Sequence, residues 1–182
     1  MKHVLLAVSG PSGVGKGTMV KTLIARRSDV VASVSCTTRA PREGEIDGKH
    51  YFFLSKEEFE RRIAEGDFLE YDEHFGNYYG TPKSFVREAL KTKSVIMEID
   101  VVGALNAKKA FPECVLVMVV PPSAEELKRR LSGRASESEL QIENRLARME
   151  YELSHKDEYD HVIVNDDLER AIDELNRIID NE

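Results

Sequence analysis

No stretch of this 182-residue chain stays apolar for the roughly twenty residues that a bilayer-crossing helix requires. Met1-Lys2-His3 leads straight into an apolar run, so no signal peptide is expected. Cysteine is scarce: Cys36 and Cys114 lie far apart, neither has metal-ligand spacing, and reduced thiols in a cytoplasmic compartment are the expectation. His3, His50, His74, His155 and His161 form no metal-binding spacing either. A net charge of -7 argues against a general nucleic-acid binder. There is no internal repeat and no low-complexity tract, and the length suits one domain-sized unit with a single substantial core.

What the chain does have is a glycine-rich turn in an informative place. Gly10-Pro11-Ser12-Gly13-Val14-Gly15-Lys16-Gly17-Thr18 follows the apolar run Val4 to Val8 and opens a helical pattern at Met19, Val20, Leu23 and Ile24. Closely spaced glycines let successive N–H groups turn inward around phosphate oxygens, and a lysine at the helix start reaches the β and γ phosphates of a bound nucleoside triphosphate. A plain strand-to-helix turn is the bland alternative, and the flanking strand and helix argue against it. The hydroxyl that usually follows the lysine is replaced by Gly17. Mg²⁺ is therefore expected to be held mainly by phosphates and water, with no protein metal ligand assigned.

Apolar runs at Val4 to Val8, Val30 to Val34, Val95 to Ile99, Val115 to Val120 and Val162 to Val164 alternate with helical patterns. Such continuous runs predict strands buried on both faces, hence an α/β fold with a five-stranded parallel sheet covered by helices. Helix starts are predicted at Ser55 to Glu58, at Ser123 to Glu126, at Thr81 followed by Pro82, and near Asp167. Two segments interrupt the alternation. Cys36 to Gly80, with strand-like pieces at Tyr51 to Leu54 and Phe68 to Glu73, reads as a small inserted β lobe; Leu131 to Tyr151 is polar at its start, carries Arg134, Arg145 and Arg148, and reads as a cover.

Beside the lobe's first extended segment, Ser33-Val34-Ser35-Cys36-Thr37-Thr38-Arg39-Ala40-Pro41-Arg42-Glu43-Gly44-Glu45 places two arginines three apart, and guanidinium forks grip phosphate well. With this stretch, Asp47 to Phe53, Gly76 to Thr81, Leu131 to Arg134 and Val164 to Asp167, the chain resembles the guanylate kinase family from the P-loop to the last helix. The resemblance implies an ATP:GMP phosphotransferase that also takes dGMP. It divides the chain into a core (1–34, 82–122 and 157–182), a GMP-binding lobe of mixed β structure (35–81) and a helical lid (123–156).

The same resemblance implies that Arg39, Arg42, Tyr51 and Tyr79 hold the GMP phosphate, while Ser35, Glu70, Thr81 and Asp100 surround the guanine. Lys16, Arg42, Arg134 and Arg145 would serve the transfer itself. Arg134 and Arg145 of the cover, and after them Arg130, would meet the ATP phosphates, and Asn165 and Asp166 would border the adenine. Guanine presents two adjacent donors, N1–H and the 2-amino group, which one carboxylate can accept together; adenine presents a lone pair at N1. Each residue also has an ordinary reading. Glu70 would be a solvated strand residue, Tyr51, Tyr78 and Tyr79 would pack a small lobe, and Asn165 and Asp166 would start the last helix. The cover arginines would pair with Glu137, Glu139 and Glu143 along a charged helix face. Asp100 is favoured on position alone, at the C-terminal end of a parallel strand, where it could also order water around Mg²⁺. A non-catalytic module of the same fold, using the lobe to bind phosphorylated proteins, is the alternative function, and the intact Lys16 speaks against it.

Overall fold

A computed structural model describes residues 2–123, 125–126, 129 and 139–182. Its central sheet is wholly parallel and runs, in spatial order, β2 (Val30–Ala32), β7 (Ser94–Glu98), β1 (Leu5–Ser9), β8 (Val115–Val120) and β9 (His161–Val164). Because side chains alternate across a strand, each strand feeds two cores. Leu6 and Val8 of β1, with Val117 and Val119 of β8, pack on Met19, Val20 and Leu23 of α1 (Lys16–Arg26) and on Ile172 and Leu175 of α6 (Leu168–Asn181). Leu5 and Ala7, with Leu116 and Met118, pack on the opposite face against Val101, Ala104 and Ala107 of α4 (Val101–Ala110) and Val86 of α3 (Lys83–Ala89). The five predicted strands are all present, each within two residues of its expected ends.

Both clear capping expectations hold where they are described. Ser55 Oγ accepts from Glu58 N at 3.1 Å and starts α2 (Lys56–Ala64); Ser123 Oγ likewise accepts from Glu126 N at 3.1 Å. The start of α3 differs from its expectation. Pro82 stays extended at φ -74° and ψ 131°, and the helix begins one residue later. Thr81 is drawn away from capping because its hydroxyl donates to Glu70 at 2.7 Å. Asp67 caps α3 instead, its carboxylate accepting from Ser84 N and Ser84 Oγ, both at 3.0 Å.

The inserted segment folds as a second sheet in the order β4 (Phe52–Phe53), β3 (Cys36–Thr37), β6 (Asn77–Pro82), β5 (Phe68–His74), with β3 parallel to β4 and the other pairs antiparallel. Strand β6 was not expected from the sequence, since its Tyr-Tyr-Gly-Thr-Pro run lacks an apolar alternation. It forms because β5 and β3 supply partners on both sides. Phe59 of α2 anchors this lobe, fully buried and stacked between Phe68 at 4.4 Å and Tyr78 at 5.1 Å between ring centroids. The cover contributes α5 (Glu139–Ser154), followed by a short 3-10 turn at Lys156–Glu158.

Candidate functional site

The P-loop leaves β1 through Gly10, whose φ of 143° and close approach to β8 exclude any side chain: a Cβ there would stand 2.1 Å from Val119 O. The loop enters α1 at Gly15, again at positive φ (98°), with no side-chain cap on the helix. The leading N–H groups of α1 thus lack a side-chain partner, and the helix dipole favours an anion there. Beneath the loop, buried Asn165 donates from Nδ2 to Val14 O at 2.7 Å. A Cβ on Gly15 would meet that same nitrogen at 2.6 Å, so loop and asparagine fit only as they stand. Lys16 donates to Gly10 O and, at 3.1 Å, to Pro11 O. Burial lowers its pKa below the usual lysine value, against the opposing pull of Glu98 and Glu152.

A cavity of about 500 Å³ opens beside this loop, lined by Gly10, Ser12, Lys16, Glu98, Asp100 and Arg145, with Ile99, Arg148 and Glu152 completing its wall. A second cavity of about 520 Å³ lies toward the inserted lobe and contains Ser35, Tyr51, Glu70, Tyr79 and Asp100. Five of the eight residues expected around GMP therefore share one cavity. Thr81 stands behind it, buried, with its hydroxyl on Glu70 Oε1. The other Glu70 oxygen lies over the first turn of α4, 3.4 Å from where a Gly103 Cβ would be. Burial, reinforced by nearby Asp100 and opposed by the Thr81 hydrogen bond, raises the Glu70 pKa.

Arg39 is held at the edge of the lobe by a two-pronged pair with Glu45, at 2.9 and 3.0 Å, and its guanidinium stands 5.5 Å from the Tyr51 ring centre. That pairing, with the Arg42 backbone N–H as a further donor, pulls the Glu45 pKa down to about 2. Arg42 itself is exposed, and its side chain does not line either cavity. Of the three tyrosines, Tyr78 packs in the lobe core, whereas Tyr51 and Tyr79 meet edge to face at 6.1 Å and line the cavity. The chain's resemblance is matched by comparison: the family model for guanylate kinase covers residues 2–182.

The chain belongs to the guanylate kinase family.

Relatives at this level include the guanylate kinase of Symbiobacterium thermophilum, 50% identical over 98% of this chain and 85% of the relative. The guanylate kinase of Caldanaerobacter subterraneus subsp. tengcongensis is 48% identical over 97% of this chain and 86% of the relative. Among solved structures, the guanylate kinase of Anaplasma phagocytophilum superposes with a TM-score of 0.72 at 37% identity, covering 98% of this chain and 85% of that one.

Several of the expected residues have further partners or positions in the structure. Asp100 spends one carboxylate oxygen on capping α4, accepting from Gly103 N at 2.8 Å, while the other lies 3.5 Å from Arg148. Asn165 is committed to the P-loop, and Asp166, just ahead of α6, is exposed and paired with Arg170 in that helix's first turn. Ser12 lines the donor cavity and Thr18 is exposed on the first turn of α1. Arg130 and Arg134, and the Ala135-Ser136 step after them, lie outside the described residues. Glu98 escaped the sequence reading although it ends β7 as Asp100 follows it; the strand-end argument applied to Asp100 would have found it. Arg148 and Glu152 were missed as site residues for want of any local signal.

Among the described residues, no group of three or more His, Cys, Asp or Glu converges to hold a metal ion. Glu98 and Asp100 line the cavity beside the P-loop, together with Glu152, and Glu98 Oε1 lies 3.4 Å from where a Gly17 Cβ would be. Two carboxylates beside a phosphate loop suit hydrogen bonds to metal-bound water, the arrangement that Mg²⁺ with a nucleotide prefers. No described helix is long and apolar enough to cross a membrane.

Proposed function

We propose that this chain transfers the γ-phosphoryl group of ATP to GMP, forming ADP and GDP, in the cytoplasm. The observation that carries this reading is that the two cavities share a wall: Glu98, Ile99, Asp100 and Arg148 belong to both. A donor bound at the P-loop and an acceptor bound in the lobe then meet directly, without a covalent enzyme intermediate. An oxygen of the GMP phosphate bonds to the γ phosphorus. The bond from that phosphorus to the bridging oxygen breaks, and its electron pair leaves with ADP. The acceptor is already anionic, so no general base is needed.

In this reading Lys16 and the P-loop N–H groups neutralise the β and γ phosphates, and Arg145 approaches from α5. Arg39, Tyr51 and Tyr79 hold the acceptor phosphate, and Arg42 joins them as the lobe closes. Ser35, Glu70, Thr81 and Asp100 surround the guanine, with Thr81 fixing the Glu70 carboxylate so that it accepts from guanine's two donors and repels the adenine lone pair. Bound with ATP, Mg²⁺ would add positive charge at the β and γ oxygens, its waters meeting Glu98 and Asp100. We take the chain to divide into core, lobe (35–81) and lid (123–156), with lobe and lid closing around both nucleotides to exclude water from the transfer.

The test is ADP formation from ATP with each monophosphate in turn. GMP is expected to be the best acceptor and dGMP a weaker one, with AMP, CMP and UMP poor. Turnover of AMP equal to that of GMP would sink the assignment. The non-catalytic alternative gains no support, since Lys16 and Arg145 are assembled on one cavity beside the P-loop.

A further inference from the structure

Arg148 has no role in the family resemblance, yet it is the one basic residue that lines both cavities among the described residues. It follows Arg145 by three positions on α5, so both guanidinium groups rise from the same helix face. Its Nε donates to Oε1 of Glu152 at 3.1 Å, one turn further on, and Glu152 is only 6% exposed. That contact fixes the base of the fork. The tip is held far less firmly: Nη2 stands 3.5 Å from Asp100 Oδ2, beyond the 2.7–2.9 Å of a charge-assisted hydrogen bond, and the side chain is 65% exposed.

The wall shared by the two cavities also carries the carboxylates of Glu98 and Asp100. The γ-phosphoryl group and the acceptor phosphate, both anionic, must meet against those like charges. A cation at the same wall, loosely paired and able to exchange a carboxylate for phosphoryl oxygens, removes the conflict. Lys16 and Arg145 line only the donor cavity, which leaves Arg148 as the described residue in position to reach both anions.

We propose that Arg148 is a further catalytic residue: with both nucleotides bound, its guanidinium leaves Asp100 and takes phosphoryl oxygens at the junction of the two sites. Glu152 is its positioning residue. The proposal rests on the ATP:GMP transfer reading above. Arg148 neither gains nor loses a proton; it offsets charge while the γ-phosphorus bond passes from ADP to GMP.

The experiment compares wild type, Arg148→Ala, Arg148→Lys and the surface control Arg61→Ala by steady-state kinetics at saturating ATP and GMP, with melting temperatures and separate binding of each nucleotide. Arg148→Ala is expected to lose roughly 10- to 100-fold in kcat, the size of one charge-assisted contact, while binding of ATP alone and of GMP alone changes less than about threefold. Arg148→Lys should fall between the two, and millimolar guanidinium ion should partly restore the Ala variant. Arg61→Ala should match wild type. Unchanged kcat in Arg148→Ala, or a loss that tracks melting temperature and resists guanidinium, overturns the proposal. Failure of the wild type to phosphorylate GMP would instead remove the reading beneath it.

Discussion

Asn165 Nδ2 donates to Val14 O at 2.7 Å across 151 residues of sequence, joining the end of β9 to the middle of the P-loop. The carbonyl is buried with its partner, so removing the donor leaves it unsatisfied. Asn165→Ala is expected to cost about 1–3 kcal/mol of stability and to raise the KM for ATP more than that for GMP. Asn165→Asp should be worse, because a carboxylate cannot donate and would face the Val14 oxygen. Equal KM values for ATP in wild type and both variants would show that the loop holds its shape unaided.

Lys16→Met should keep the fold and lose nearly all transfer. In the absence of nucleotide the lysine is held by its own loop, on Gly10 O and Pro11 O, and burial already disfavours its charge. Removing the ammonium group therefore takes away a desolvation cost as well as two hydrogen bonds. The melting temperature is expected to stay near wild type at pH 7, with kcat down by at least about 100-fold. A variant that keeps wild-type turnover would show that the loop does not handle the transferred group.

Glu70→Gln separates recognition from folding. The folded-state pKa of Glu70 is raised by burial, so its contribution to stability is present at low pH and is lost as pH rises through that value. At neutral pH the neutral amide should thus be no less stable than the carboxylate, and Gln can still accept from Thr81. Recognition needs the ionised form. We expect kcat/KM for GMP to fall by about 2–4 kcal/mol of transition-state binding in the variant, and in wild type to fall on the acid side with a midpoint above the ordinary glutamate value. A wild-type profile flat through that range would exclude Glu70 from the guanine contact.

The thiols should be inert in the native state. Burial pushes the Cys36 thiol up to about 11 and the Cys114 thiol up to about 12, and both side chains are fully buried. Thiolate is the reactive form, so labelling by a maleimide at pH 7.5 is expected only on unfolding. Rapid labelling of Cys36 in the folded enzyme would mean that the lobe around Phe59 opens locally.

The local chemistry of the chain determined the P-loop and the parallel sheet. Gly10 and Lys16 sit in a contiguous motif, and the runs Val95 to Met97 and Val115 to Val120 are apolar at every position because both faces are covered. Glu70, Tyr51 and Tyr79 were legible through resemblance, and the structure brings them to one cavity. What local signals miss is what depends on distant partners. Strand β6 exists because β3 and β5 flank it, α3 starts where Asp67 reaches it, and Thr81 turns from that start to Glu70. Arg148 acquires meaning only when the face of α5 comes to the wall that Glu98 carries at the end of β7. Periodicity and capping act over a few residues, whereas a shared cavity wall joins side chains fifty residues apart, and only the folded chain sets those neighbours side by side.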